Sequence, residues 1–167
     1  MRRAAFPYLC LLLLFAACEK PEPVSIQVGT QRVAVIHPPD WEHFDYGEQH
    51  QWRRDFERIS LQDMGRMGGN IDGVVERALE MLGEDERREI AFRDTLQVSG
   101  RDARMIETWD VVSHQYRKRF LFVINERELL GLYTQQGQFE LMEPAFTEMA
   151  GSMAFIDTTG GGGDKAQ

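Results

Sequence analysis

The sequence predicts an α+β domain in which one antiparallel β-sheet of about six to eight strands is flanked by two main helices. Three observations carry that reading. Between residues 90 and 134 four strand-like runs follow one another with short polar connections, two other stretches repeat apolar residues at helical spacing, and a further hairpin pattern precedes both. Strands joined by short loops pair antiparallel. Helices with a single apolar stripe need a sheet face to cover it.

In chain order, "VSIQVGTQRVAVIHPP" places Val24, Ile26 and Val28, then Val33 and Val35, on one face of a hairpin turning at Gly29. Pro38 and Pro39 stop its second strand, because proline has no N–H to give to a ladder. A third strand is expected over residues 56–62, with Glu57, Ile59 and Leu61 on one side, and Gly65, Gly68 and Gly69 break it. Asn70 is placed as the N-cap of the first helix, whose Ile71, Val74, Val75, Ala78, Leu79 and Leu82 follow helical spacing towards Gly83. The four-strand run follows over residues 90–98, 103–114, 119–124 and 128–134, joined by "SGRD", a basic bend and a turn near Asn125 and Glu126. A second amphipathic helix over 139–151 offers Leu141, Phe146 and Met149 to the core, and residues 153–156 form a last short strand.

A chain of 167 residues that is 43% hydrophobic and 28% charged has the composition of one ordinary globular domain. Ahead of that domain, Arg2 and Arg3, the apolar run 4–15 and the small pair Ala16 and Ala17 have the layout of an export signal. Crossing a bilayer takes roughly 20 apolar residues, so the run is too short for a span. Leu14, Phe15, Ala16, Ala17 and Cys18 together resemble the signal of a bacterial lipoprotein, with Phe15 departing from the usual aliphatic residue. The resemblance implies removal of residues 1–17, lipidation of Cys18, and a tether over 18–23 in which "EKPEP" is kept extended by its prolines. Cys10 leaves with the signal, so the mature chain has no disulfide. The domain then occupies 24–157, and the glycine-rich 158–167 is expected to be disordered.

That reading sets the location: a cell envelope, lipid-anchored and exposed to the periplasm. Glu19 is not the aspartate that retains a lipoprotein at the inner membrane under the best-known sorting rule, so the outer membrane is preferred. The formal charge of −8 becomes −10 once Arg2 and Arg3 are lost, which excludes nucleic acid as an expected partner.

A second resemblance rests on "IHPPDW" after the first hairpin, the "VSGRDARMIE" strand pair, "RKRFLFVINERELLGLYTQ" and the closing "FEL…FTEMAGSMAF". These look like the PsbP-like superfamily, including its DcrB-type periplasmic members, over residues 24–156. The resemblance implies an α/β/α sandwich used as a binding or assembly module, often without enzymatic activity.

The chemistry-bearing residues agree with a non-catalytic reading. Ser25, Ser60, Ser99, Ser113 and Ser152 lack a G-x-S-x-G surround, and "GRMGGN" lacks the lysine of a P-loop. Pairs such as Glu107 and Asp110 read as a solvated strand edge. The densest polar cluster holds His37, Asp40, His43 and His50, residue types that bind divalent metals. Their spacing of six and seven residues matches neither a helical nor a strand pair, and a polar loop around a packed Trp41 is the favoured reading. Metal or small-ligand binding by that segment is the alternative function; no cofactor is expected otherwise. The basic bend Tyr116, Arg117, Lys118 and Arg119 stands out from an acidic background as a contact for a protein partner or anionic headgroups, each cation contributing about 1 kcal/mol near an anionic surface. Arg53, Arg54 and Arg58 extend it if their strand lies beside it. Trp52 is a candidate interface anchor.

Overall fold

A computed structural model describes residues 21–83, 88–110, 117–135 and 137–156. Cys18, Tyr116 and the expected signal and tail segments lie outside the described residues. Among the described residues, ten strands and two helices run β1 (Val24–Val28), β2 (Gln31–Val35), β3 (Glu42–Asp45), β4 (Gln49–Arg54), β5 (Glu57–Arg66), α1 (Ile71–Met81), β6 (Arg88–Val98), β7 (Arg101–Asp110), β8 (Lys118–Asn125), β9 (Glu128–Thr134), α2 (Phe139–Ser152) and β10 (Ala154–Phe155). The main sheet is seven-stranded, in the order β3-β4-β5-β9-β8-β7-β6, with every pair antiparallel.

β8 and β9 lie at its centre and are buried on both faces. Leu121, Val123, Leu130 and Leu132 face a core completed by α2. Phe120, Phe122, Leu129 and Tyr133 face the core under α1. This is why "FLFVI" reads as an unbroken apolar run instead of an alternation. Gly131 is small because Met64 crosses it; a Cβ there would sit 3.0 Å from the Met64 sulfur.

Each helix follows from its sequence. The Asn70 side chain accepts the Gly73 N–H at 2.8 Å, which caps α1, and Val74, Val75, Ala78 and Leu79 point inward. Gly83 closes the helix in the left-handed region, donating to the Glu80 carbonyl at 2.9 Å. In α2 the buried face is Phe139, Met142, Ala145, Phe146 and Met149. Leu141, expected in the core, is turned outward and 46% exposed, one residue off that stripe.

Three further differences from the expected pattern matter. The first hairpin does not join the main sheet: β1, β2 and β10 form a separate three-stranded sheet. Val28, Val33 and Val35 press its inner face onto the α2 side, so this layer shares the core with the helix. β5 runs on to Arg66, with a register shift between Asp63 and Arg66 at Gly65 instead of a break. The segment expected as a polar loop is the β3–β4 hairpin, and its Trp52 is 1% exposed, a core residue and not an interface anchor.

Candidate functional site

The β3–β4 register, with His43 opposite Trp52 and Asp45 opposite His50, places both histidines on the face turned towards β1. His50 is 2% exposed. Its Nε2 donates to the Gln27 carbonyl of β1 at 2.6 Å, and a carbonyl can only accept. Nδ1 is therefore the acceptor, and it receives the Nε2–H of His43 at 2.9 Å. The His43 ring stacks on Trp52 with centroids 4.9 Å apart, and His37 stacks further out at 6.4 Å. Burial first, then the neighbouring His50 and His37, hold the His43 imidazole below the usual histidine range.

This chain ties the small sheet to the main one. Both ring nitrogens of His50 are committed within it. Asp40 is drawn elsewhere, to Arg54 at 2.9 Å, and that hydrogen bond keeps its carboxyl below the usual carboxylate range. Of the four residues weighed as a metal set, the fold brings His43 and His50 together and sends Asp40 to another partner. Among the described residues no three His, Cys, Asp or Glu side chains are grouped to hold a metal ion.

The basic bend divides between the two faces of the main sheet. Arg119 turns towards α2, where Glu107 holds its Nη2 at 2.8 Å and Glu143 its Nη1 at 2.9 Å. Its guanidinium also lies over Phe139, 4.9 Å from the ring centroid. Arg119 is thus a partly buried ion-pair residue, and Glu107, 8% exposed, is a buried counter-charge that it shares with Arg117 at 3.8 Å, instead of a solvated edge carboxylate. Arg117 stacks on Trp109 at 4.1 Å. Lys118 turns the other way and shares a cleft with Arg58, so part of the expected extension of the patch is present.

Arg117 and Lys118 line a cleft of about 380 Å³ with Arg88, Gln138 and the ring of Phe56. Glu57 sits at its base, 6% exposed, and Gly137 closes beside it. Gly137 has a φ of +113°, and a Cβ there would lie 2.7 Å from the Glu57 Cα, so only glycine lets the chain enter α2 this close to β5. Phe56 crowns the β4–β5 turn and is 76% exposed, the most exposed large apolar side chain among the described residues. Three cations, the Glu57 carboxylate and a bare aromatic ring thus meet at this cleft, and Arg117 also lies 3.8 Å from the Glu107 carboxylate.

Sequence reasoning missed a polar network on the α1 side of β4, β5 and β9. The Tyr133 hydroxyl donates to Gln62 at 2.6 Å and accepts from Gln49 at 3.2 Å. The Gln51 amide donates to Gln135 at 2.6 Å and to the Ser60 hydroxyl at 3.3 Å. Burial raises the Tyr133 hydroxyl above the usual phenol range, partly offset by hydrogen bonds from Gln49, Gln135 and Ser60. The available signal was the period of two shared by Gln49 with Gln51 and by Ser60 with Gln62.

No protein-family model matches the chain, and no curated protein sequence matches it. Solved structures do. The cyanobacterial PsbP (CyanoP) of Synechocystis sp. PCC 6803 superposes with a TM-score of 0.60 at 12% identity, covering 84% of this chain and 96% of its own. The Ran-binding protein Mog1p of Saccharomyces cerevisiae superposes with a TM-score of 0.55 at 11% identity, covering 84% and 98%. A point mutant of the protein Mog1 gives 0.55 at 12% identity, covering 82% and 97%. The fold is therefore of the PsbP/Mog1 type, and the similarity covers nearly the whole of those chains.

Proposed function

We propose that this protein is a lipid-anchored cell-envelope lipoprotein whose folded part is a non-catalytic binding or assembly module, engaging an acidic surface of an envelope protein through the cleft between Phe56, Arg88, Arg117 and Lys118. The observation that carries it is that cleft: three cations against one lining carboxylate, Glu57, and an exposed ring, in a chain of net charge −8. Charge of that sign steers an acidic partner, and a bare aromatic flanked by arginine is the composition of an interface anchor. The description of Mog1p as a Ran-binding protein supports protein recognition as a use of the fold. Anchoring rests on the lipoprotein-like Leu14–Cys18 string, with the domain facing the periplasm and the outer membrane preferred.

Two measurements test the halves separately. Cells fed an alkyne fatty acid should label the wild-type chain and leave Cys18→Ala unlabelled; a labelled Cys18→Ala protein contradicts the anchor. Copurification from membranes should retain an acidic envelope protein whose association weakens with salt and is lost when Arg88, Arg117 and Lys118 are all changed to Glu. A partner that survives the charge reversal removes the cleft from the reading.

A further inference from the structure

The three most exposed large apolar side chains among the described residues fall at two places. Phe56, 76% exposed, crowns the β4–β5 turn, whereas Met81 at 65% and Tyr46 at 56% both line a groove of about 1020 Å³ that shares no lining residue with the Phe56 cleft. Strand β5 links the two: it starts beside Phe56 at Glu57 and ends in the groove at Arg66. At about 3.3 Å per residue its ten residues set the sites roughly 30 Å apart, at opposite ends of one strand.

The groove is formed in advance of any occupant. It lies where the β1–β2 and β3–β4 turns meet the end of β5, and hydrogen bonds lock the three together. The Gly29 N–H donates to the Gly47 carbonyl at 2.9 Å and the Asp63 N–H to the Glu48 carbonyl at 2.8 Å. Thr30 gives its N–H to the Asp63 carboxylate at 3.0 Å and its hydroxyl to Glu128 at 2.6 Å. Met64 and Met81 supply its apolar lining together with Tyr46. Unbranched thioether side chains adapt to an aromatic ring and gain sulfur–ring contacts. Around them stand four carboxylates, Asp45, Glu48, Asp63 and Glu128, against Arg66.

The Phe56 end has the opposite balance, with Arg88, Arg117 and Lys118 against Glu57. A projecting ring framed by cations thus matches a methionine-lined groove framed by carboxylates. Complementary charge steers two surfaces together and fixes how they meet, and aromatic and methionine side chains are enriched where such interfaces are buried. The match is one of net charge over each surface and does not require any one cation to lack a partner within its own molecule.

We propose that the acidic partner of the Phe56 cleft is a second copy of this chain, with Phe56 of one molecule seated in the Tyr46–Met81 groove of the next. The proposal rests on the partner reading of that cleft and names its occupant. Each molecule carries one of each surface at opposite ends of β5, so the contact is heterologous. Copies join head to tail into rows or rings, not into a two-fold pair.

The test is photo-crosslinking of the full chain in cells that carry two differently tagged copies. A benzophenone amino acid at position 56 of one copy should capture the other copy, with the new bond mapped by mass spectrometry to Tyr46, Glu48 or Met81. Placed at position 81 instead, it should capture the turn around Phe56. Phe56→Ser in the captured copy should cut the position-81 adduct about fivefold or more with an unchanged unfolding midpoint, since the side chain is exposed. A copy with Glu48→Lys and Met81→Lys should escape the position-56 probe of a wild-type copy, yet the same probe in that variant should still capture the wild type. This one-way loss is the mark of a head-to-tail contact. Adducts that join position 56 to position 56, or that form equally with the groove variant, would overturn the proposal. Capture of a different acidic protein alone would overturn self-pairing and keep the partner reading of the Phe56 cleft, whereas no adduct of any kind would overturn both.

Discussion

Replacing His50 with leucine should destabilise the fold by about 1.5–3 kcal/mol, and the size follows from what the imidazole does. Leucine keeps the apolar contacts of a 2%-exposed position but ends two hydrogen bonds, leaving the Gln27 carbonyl without its donor and His43 without its acceptor. An ordinary lost hydrogen bond costs about 1 kcal/mol, and an orphaned buried group about 1–3. His43→Leu removes only the 2.9 Å bond and spares the link to Gln27, so it should cost about 0.5–1.5 kcal/mol. The two substitutions share one bond, and a double-mutant cycle should therefore return about 1 kcal/mol of coupling. Urea unfolding followed by tryptophan fluorescence reads all three variants, with Trp52 stacked on His43 as an internal reporter. The midpoint should move while the slope stays constant. If His50→Leu costs no more than His43→Leu, the two-sided role of His50 as the tie between β1 and the main sheet is wrong.

Three other outcomes are expected. The His43 pKa is depressed in the fold, so the unfolded chain binds more protons just below the ordinary histidine value; stability is full above it and falls as pH drops from about 6.5. Urea midpoints across that window should slope for the wild type and flatten in His43→Leu. Arg119→Met should cost about 1–3 kcal/mol by leaving Glu107 only the longer 3.8 Å contact with Arg117, and adding Glu107→Leu should recover part of it; a double variant as weak as the single would mean the loss is one of packing. Gly137→Ala should lower stability by about 1–3 kcal/mol in the same assay, because the new Cβ meets the Glu57 backbone and the φ of +113° is foreign to alanine.

Elements whose buried face is made of aliphatic residues were legible in the sequence. Strand β9 begins and ends at the expected residues 128 and 134, and α1 carries its expected Asn70 cap. The β3–β4 hairpin was not legible, because the side chains it buries are His50, Gln51 and Trp52, and polar groups paired across strands leave no hydrophobic period. The separate small sheet escaped for another reason: β2 pairs with β10 across more than a hundred residues, a contact no local pattern encodes. The site was read in part. Net charge singled out the basic bend, and register decided its fate, since alternate residues of β8 face opposite layers and send Arg119 to Glu107 but Lys118 to the clefts. Phe56 drew no attention as a strand residue; its position at the tip of a two-residue turn after Arg54 is what exposes it.

The most direct test of the account is a photo-crosslinking residue placed at position 56 of the chain in living cells. The account predicts a covalent adduct with an acidic envelope protein, formed by the lipid-anchored chain and lost when Arg88, Arg117 and Lys118 are reversed to Glu. The absence of any adduct, or an adduct that persists through that reversal, would contradict it.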